Sequence, residues 1–191
     1  MSTEFTPPPI SELLNHAWSE LAAARDDHQH PWHLPVLCTA DADGPDGRTV
    51  VLRHADRATH TIGCHTDHRA PKSAGLERPR PVAWLFYDPQ AKVQLRVRGE
   101  AQLHHDDAIA ETAWAASRPG SRSCYFERQG PGAALSGAPG ERHLGDEGYV
   151  HFAVLRCRLH SIDWLHLRGA GHLRAQFRRE GDHWTGDWVA P

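Results

Sequence analysis

Lysine is almost absent from this chain. Lys72 and Lys92 are the only two among 21 basic residues, and the remainder are arginines. Arginine suits bidentate binding of phosphate or carboxylate groups, although codon usage produces the same bias. Paired cysteines are missing too: the four cysteines are widely spaced and form no CxxC motif. This spacing argues against a disulfide framework and favours reduced thiols in a cytoplasmic protein.

Long apolar runs are also missing. No run reaches the roughly 20 residues of a membrane span, and residues 1–9 lack the basic start and apolar centre of a secretory signal. The net charge of −3 gives no overall attraction to nucleic acid. Glycine-rich loops of the Walker or Rossmann kind are absent. We therefore expect a cytoplasmic protein that binds neither membranes nor nucleic acid.

The length of 191 residues fits one domain. Apolar residues recur at helical spacing over residues 10–25, after a run of three prolines. We expect residues 1–33 to form a helix and loop that pack on a second region, residues 34–191.

Short β segments dominate that second region. Alternating apolar residues and turn residues predict strands at 35–40, 49–54, 59–64, 81–87, 92–99, 149–160, 161–167, 172–178 and 183–189. Residues 41–47 are typical of a turn and 117–148 of a long loop. Helices are predicted at 71–78 and 106–116, and residues 81–87 have the apolar composition of a strand that is buried on both faces. Because strands and helices do not alternate, we expect a mainly β fold: a six- to eight-stranded antiparallel barrel with appended helices.

Basic side chains surround the predicted start of the helix at Pro71. Arg69 and Lys72 straddle that proline, and Arg48 lies at the mouth of a preceding strand. Phosphate favours arginine forks, a lysine and the N–H groups of a helix start. These residues predict an anion site, with a solvated basic turn as the alternative.

Residues 92–99 alternate between apolar and polar side chains. Val93, Leu95 and Val97 are predicted to face one way, whereas Gln94, Arg96 and Arg98 are predicted to share the opposite face.

In their order along the chain, these segments resemble the pyridoxamine-5'-phosphate-oxidase-like family of FMN proteins. Residues 48–53 resemble its R-x-V-x-L-K strand, and residues 65–72 resemble its T-D-x-R-S-x-K turn. Further matches follow at 79–87, 93–99, 117–119, 162–164, 172–173 and 188–191. They cover about four-fifths of the chain, from residue 34 to the C-terminus.

The resemblance implies an FMN-binding split barrel and a homodimer with FMN at its interface. Arg48, Arg69 and Lys72 would hold the phosphate, and Gln94 would contact the pyrimidine edge of the ring. The full set of implied cofactor residues is Arg48, Thr49, Val50, Val51, Leu52, Arg53, Cys64, His65, Thr66, Arg69, Lys72, Gln94, Trp164 and Gln176. Val50 and Leu52 would form an apolar floor for the ring.

The substrate residues of the family are less well matched. Arg53 stands at the place of a lysine and Trp114 at the place of a tyrosine, while Arg118 is kept. His172 and Arg174 replace an arginine and a histidine. Swaps of this kind change phosphate geometry. We therefore expect an FMN-dependent oxidoreductase that acts on an unidentified small molecule. We do not expect it to oxidise pyridoxamine phosphate.

Alternatives remain open at this point. The same barrel serves as a flavin carrier or sensor without turnover, and related barrels bind haem or a deazaflavin. The 16 histidines, notably His28, His30 and His33, suggest a metal, but zinc needs a closed ligand set that these loop residues lack. We expect no metal. A further constraint is that Arg48 and Arg53 would point to opposite faces of an ideal strand.

Overall fold

A single antiparallel sheet of nine strands dominates the computed structural model, which describes residues 7–42, 44–134 and 148–191. The strands are β1 Val36–Asp41, β2 Gly44–Thr49, β3 Leu52–Asp56, β4 Thr61–Asp67, β5 Arg80–Asp88, β6 Val93–His104, β7 Phe152–His166, β8 Leu173–Glu180 and β9 His183–Val189. The helices are α1 Ile10–Asp26, α2 Ala108–Ala116 and α3 Pro119–Arg122. Short 3-10 turns occupy Pro71–Ser73, Ser123–Phe126 and Tyr149–His151.

The sheet closes on itself. Its strand order is β2-β1-β5-β6-β7-β4-β3, and β8 with β9 branches from β7. The two ends of this path, β2 and β3, are joined in the chain by only Val50 and Val51, so they must lie close together. This confirms the predicted mainly β, antiparallel barrel with appended helices. The described residues hold nine strands: 44–49, assigned largely to a turn, forms a hairpin strand with β1, whereas two of the nine predicted segments belong to the single strand β7.

The predicted strand at 49–54 is divided between two strands, because the chain changes its pairing partner there from β1 to β4. β2 ends at Thr49 and β3 begins at Leu52. Between them the N–H of Val50 donates to the carbonyl of Pro35, and the N–H of Leu52 donates to the carbonyl of His33, each over 2.9 Å. Arg53 is then the extra residue of a β-bulge between β3 and β4. Arg48 lies on the same face as the core residues Val50 and Leu52, whereas Arg53 is exposed, so the two arginines do point to opposite faces.

Two other predictions differ from the structure in the type or extent of the element. The helix at 71–78 is a single 3-10 turn at Pro71–Ser73, because Ala74 is already extended and Gly75 has φ +76°. Residues 149–160 and 161–167 are not two strands but a turn followed by the long strand β7. β5 is buried on one face only.

Helix α1 covers one side of the barrel. Its buried residues Leu13, Ala17, Trp18 and Leu21 belong to the same apolar core as the inward side chains of the strands. The helix contacts β3 and β9. In the part of the chain that is described, no helix is long and apolar enough to cross a bilayer.

Helix α2 lies on the opposite, outer face of β7. Asp107 caps it by accepting hydrogen bonds from the N–H groups of Ile109 and Ala110, which explains the predicted start near residue 106. Below it a small second core joins Ala110 and Tyr125 to the start of β7. Of the predicted loop 117–148, residues 135–147 lie outside the described residues.

Candidate cofactor site

Arg48 points into the mouth of the barrel. It pairs in register with Leu37, which pairs in turn with Trp84, and both of these are buried core residues. Side chains paired in this way share one face of the sheet. The guanidinium donates to the carbonyl of Leu37 over 3.2 Å and to Oγ1 of Thr39 over 2.8 Å, and it forms an ion pair with Asp46. Its position is therefore fixed before any ligand binds.

Lys72 lines the same opening. The cavity has a volume of about 430 Å3 and is lined by both cations together with parts of β1, β2 and β5. Burial lowers the pKa of Lys72, and the positive charge of Arg48 lowers it further. Two cations that repel each other across one cavity favour the entry of an anion. The predicted convergence of Arg48 and Lys72 on one point is seen here.

Arg69 is engaged elsewhere. Its guanidinium forms hydrogen bonds of 2.6 to 3.3 Å with the carboxylate of Asp67 and donates to the backbone carbonyls of Glu127 and Arg128. Burial opposes ionisation of Asp67, but the hydrogen bonds from Arg69 outweigh it and lower the pKa of that carboxyl. Arg69 is not among the residues that line the cavity. In one chain it ties the turn before Lys72 to the segment after α3.

Cys64 and Thr66 form buried parts of β4 below this cavity. Burial raises the pKa of the Cys64 thiol to about 12, although Lys72 and Arg48 both oppose the shift. A thiol that stays protonated is not a nucleophile at neutral pH. The hydroxyl of Thr66, 4% exposed, donates to the carbonyl of Asp67 over 3.4 Å. Both side chains support the wall of the site.

Residues 49–53 meet the site in different ways. The side chains of Val50 and Leu52 belong to the main core. Thr49 and Arg53 are exposed, and Val51 is half-buried.

His65 faces outward from β4. Its ring packs edge-on against Phe152, with 4.9 Å between centroids. Burial, followed by the positive charges of Arg53 and Arg156, lowers the pKa of His65 to about 4. The imidazole is therefore neutral at pH 7.

A second group of predicted residues lies on the outer face of β6, β7 and β8. Gln94 sits between Tyr87 and Leu165 in adjacent strands. Gln176 is further along this face, and its amide donates to Oδ2 of Asp163 over 3.0 Å. Its amide oxygen remains available as an acceptor.

Asp163 organises this outer face, and the sequence analysis missed it. Its carboxylate accepts a hydrogen bond of 2.6 Å from Arg96 and bonds of 3.0 and 2.7 Å from Arg174, besides that of Gln176. Burial alone would raise the pKa of Asp163, but these bonds outweigh it and lower the pKa. The alternation in β6 predicted the outward direction of Arg96. The register that brings Asp163 beside it could not be read from one strand.

The remaining predicted residues do not converge. Trp164 points inward, 6% exposed, and meets the ring of Trp188 edge-on. Trp114 lies within an aromatic cluster with Tyr125, Phe126, Tyr149 and Phe152. His172 is exposed, and its ring accepts from the N–H of Arg168 over 3.1 Å. Arg118 is exposed in front of α3.

The two groups of residues stand on different faces of the sheet. Arg48 and Lys72 share the mouth of the barrel with inward side chains, whereas Gln94 and Gln176 share the outward face with the exposed Tyr87. The cavity at the mouth and the cleft beside Gln176 have no lining residue in common. One chain therefore does not bring all of the predicted cofactor residues together.

The family model of the pyridoxamine 5'-phosphate oxidase, FMN-binding domain, matches residues 11–105. The chain belongs to this family, and its cofactor is FMN. A pyridoxine/pyridoxamine 5'-phosphate oxidase from Thermosynechococcus vestitus is 26% identical over 161 residues, which are 78% of this chain and 74% of the relative.

Two solved structures share the fold. An FMN-binding protein from Nostoc punctiforme, related to pyridoxamine 5'-phosphate oxidase, has a TM-score of 0.73 and 18% identity, with 98% of this chain and 100% of the other covered. PhzG from Burkholderia lata, solved with tetrahydrophenazine-1-carboxylic acid, has a TM-score of 0.70 and 18% identity, with 97% and 94% covered. At this identity the two structures establish the split-barrel fold alone.

The residues at the barrel mouth fit the phosphate of FMN. Three cations, Arg48, Lys72 and Arg80, line one cavity together with the carboxylates of Asp41 and Asp46. No group of three or more histidine, cysteine, aspartate or glutamate side chains in residues 7–42, 44–134 and 148–191 is arranged to hold a metal ion.

Proposed function

We propose that the protein is an FMN-dependent oxidoreductase that acts on a small molecule, with one FMN at each of two equivalent sites of a homodimer. The observation that carries this proposal is the pair Arg48 and Lys72, which line one cavity in a chain of the FMN-binding family. The separation of Gln94 and Gln176 from that cavity supports the dimer, because a second copy can supply them.

Each residue has a role in this proposal. Arg48 and Lys72 neutralise the phosphate of the cofactor, and the hydrogen bond that Arg48 donates to Thr39 holds the guanidinium in place. Gln94 donates or accepts a hydrogen bond at the edge of the flavin ring. Gln176 donates from its amide nitrogen to Asp163, and its amide oxygen accepts a hydrogen bond from the flavin. The bound flavin would supply the hydride or electron transfer, whereas the protein supplies orientation and charge.

The cofactor assignment is tested by replacing the two lysines in turn. Lys72→Gln removes a cation from the cavity, and we expect FMN affinity to fall about ten-fold or more, since a hydrogen bond to a charged group contributes about 1.5–3 kcal/mol. Titration of the apoprotein followed by flavin fluorescence measures this. Lys92→Gln, at an exposed turn, is the matched control. Equal affinity of both variants would contradict the phosphate role of Lys72.

The substrate is sought among compounds of the kind that the relatives accept. The curated relative is a pyridoxine/pyridoxamine 5'-phosphate oxidase, so phosphorylated pyridine amines and alcohols are tested first, by anaerobic bleaching of the flavin absorbance. Because Arg53 and Trp114 replace a lysine and a tyrosine, we expect pyridoxamine phosphate to be a poor substrate.

A flavin carrier or sensor is the second candidate. The observation that favours it is that Trp114 is packed among aromatic rings while Arg118 is exposed, so the residues assigned to the substrate form no common pocket. A carrier would pass its FMN to an apoflavodoxin, and no tested compound would bleach the bound flavin. Rapid bleaching by one compound would rule this candidate out.

We also propose that the protein works in the cytoplasm. Cys64 and Cys157 are buried thiols, which suits a reducing compartment.

A further inference from the structure

A row of three polar residues crosses the outer face of the sheet beyond Asp163. Arg98 in β6 pairs with Ser161 in β7, and Ser161 pairs with Arg178 in β8. Residues paired across adjacent strands project on the same side. Two guanidinium groups thus flank one hydroxyl. Together with His160 we call these residues the arginine cleft.

A β-bulge builds the arginine cleft. Arg98 pairs with Ser161 and Gly99 pairs with Leu159, so His160 is the extra residue of β7. Bulges redirect side chains and increase the local twist. A Cβ at position 99 would overlap the carbonyl oxygen of Arg158 and lie 2.7 Å from Sγ of Cys157. The missing side chain of Gly99 is therefore what allows the bulged strand to approach this closely.

Positive charge in the arginine cleft is not compensated. The lining of the whole depression holds four guanidinium groups and one carboxylate. That carboxylate, Asp163, is committed to Arg96 and Arg174. Among the residues that the structure describes, the guanidinium groups of Arg98 and Arg178 have no hydrogen-bond or ion-pair partner.

The volume of the depression indicates what it holds. At about 190 Å3 it corresponds to roughly six water molecules, and it is smaller than the roughly 300–1,000 Å3 pockets that enclose whole drug-sized ligands. It has room for one charged group of a larger molecule. Donors that approach from two strands, with a hydroxyl between them, suit a tetrahedral oxyanion better than a planar carboxylate, which one arginine satisfies in bidentate fashion.

We propose that the arginine cleft is a second anion site, which binds the phosphate group of a small molecule. Within one chain it is separate from the cavity of Arg48 and Lys72, with which it shares no lining residue. The proposal does not depend on the identity of any substrate or on turnover.

The test is calorimetric titration of inorganic phosphate into the full chain saturated with FMN, in phosphate-free buffer of low ionic strength. FMN fills the cavity of Arg48 and Lys72, so further phosphate reports on the arginine cleft. If the chain takes up no FMN, the Lys72→Gln variant serves in its place. We expect saturable binding, weakened at least about ten-fold by Arg98→Gln with Arg178→Gln and abolished in 0.5 M salt, since exposed charges are screened.

The control is Arg158→Gln, an exposed arginine on the same strand that lies outside the cleft. It should bind phosphate like the wild type, and all variants should bind FMN equally. The proposal is overturned if the wild type gives no phosphate heat, if Arg158→Gln weakens binding as much as the double variant, or if acetate binds as tightly as phosphate. If the wild type binds no phosphate and the double variant is a monomer where the wild type is a dimer, the arginine cleft is instead part of the contact between subunits.

Discussion

At the scale of single residues, His65 makes the fold sensitive to pH. Its pKa is about 4 in the folded chain, against about 6.5 for a free histidine. Between these values the unfolded chain takes up a proton that the folded chain refuses, so stability falls as pH drops from about 6.5 to about 4. The cause is burial beside Phe152 and the facing charges of Arg53 and Arg156.

Replacing His65 isolates its share of this effect. His65→Phe keeps an aromatic ring against Phe152 and removes the titration, so the loss of unfolding free energy between pH 7 and pH 4.5 should shrink by about 1–3 kcal/mol. Urea denaturation at both pH values measures it. His54, whose pKa burial also lowers to about 4, remains as background. The assignment to His65 would be contradicted if His65→Phe lost as much unfolding free energy between pH 7 and pH 4.5 as the wild type. It would also be contradicted if the exposed control His28→Gln changed this loss by the same amount.

Some residues of the site were predictable and others were not, for a physical reason. The alternation of β6 predicted that Gln94, Arg96 and Arg98 share a face, because side-chain direction in a strand follows from position alone. Asp163 was missed because its contacts depend on the register between strands far apart in the sequence. Arg69 was assigned to phosphate, whereas in one chain its guanidinium is taken by Asp67, only two positions away.

At the scale of elements, Gly99 and the bulge at His160 hold β6 and β7 together. Gly99→Ala should lower the free energy of unfolding by about 1–3 kcal/mol, as overpacking does in other proteins. The added methyl would meet backbone and the sulfur of Cys157, neither of which can yield easily. Denaturant midpoints measure the change.

Gly120 provides the matched control for this substitution. A Cβ there would meet nothing within 4 Å, so Gly120→Ala should change stability by less than about 0.5 kcal/mol. If the two variants were equally stable, the close approach at Gly99 would not be a constraint.

Element boundaries differ from the sequence analysis where a strand changes its partner. Residues 49–54 have the composition of one strand, but their pairing passes from β1 to β4, so β2 ends at Thr49 and β3 begins at Leu52. Such a change of partner is invisible to a local pattern. Helix α1 was predicted well because its apolar face repeats over several turns, and α2 because Asp107 is a strong cap.

At the scale of the whole molecule, the proposed dimer makes a prediction about mixed subunits. Lys72→Gln damages the cavity of its own chain, whereas Gln94→Ala damages the surface offered to the other chain. A dimer formed from one of each has one site with both defects and one intact site. Unfolding and refolding the two variants together should therefore restore FMN binding of wild-type affinity that neither variant shows alone.

The control for this experiment is each variant refolded by itself. Sedimentation before and after mixing must show dimers. If mixed dimers form but tight FMN binding is not restored, then Lys72 of one chain and Gln94 of the other do not contribute to the same FMN site.

The N-terminal helix is part of this unit. Because α1 shares the apolar core of the barrel, we propose that residues 1–33 and 34–191 fold as a single domain.

The position of β7 in the sheet has a consequence for synthesis on the ribosome. β7 alone joins β6 to β4, and it is also the strand from which β8 and β9 branch. Until residues 152–166 have been made, β6 and β4 each present an open edge with unpaired N–H and carbonyl groups, which invites pairing with other chains. A chain truncated before β7 should therefore aggregate. During translation β1 to β6 cannot form the complete sheet until β7 has been synthesised.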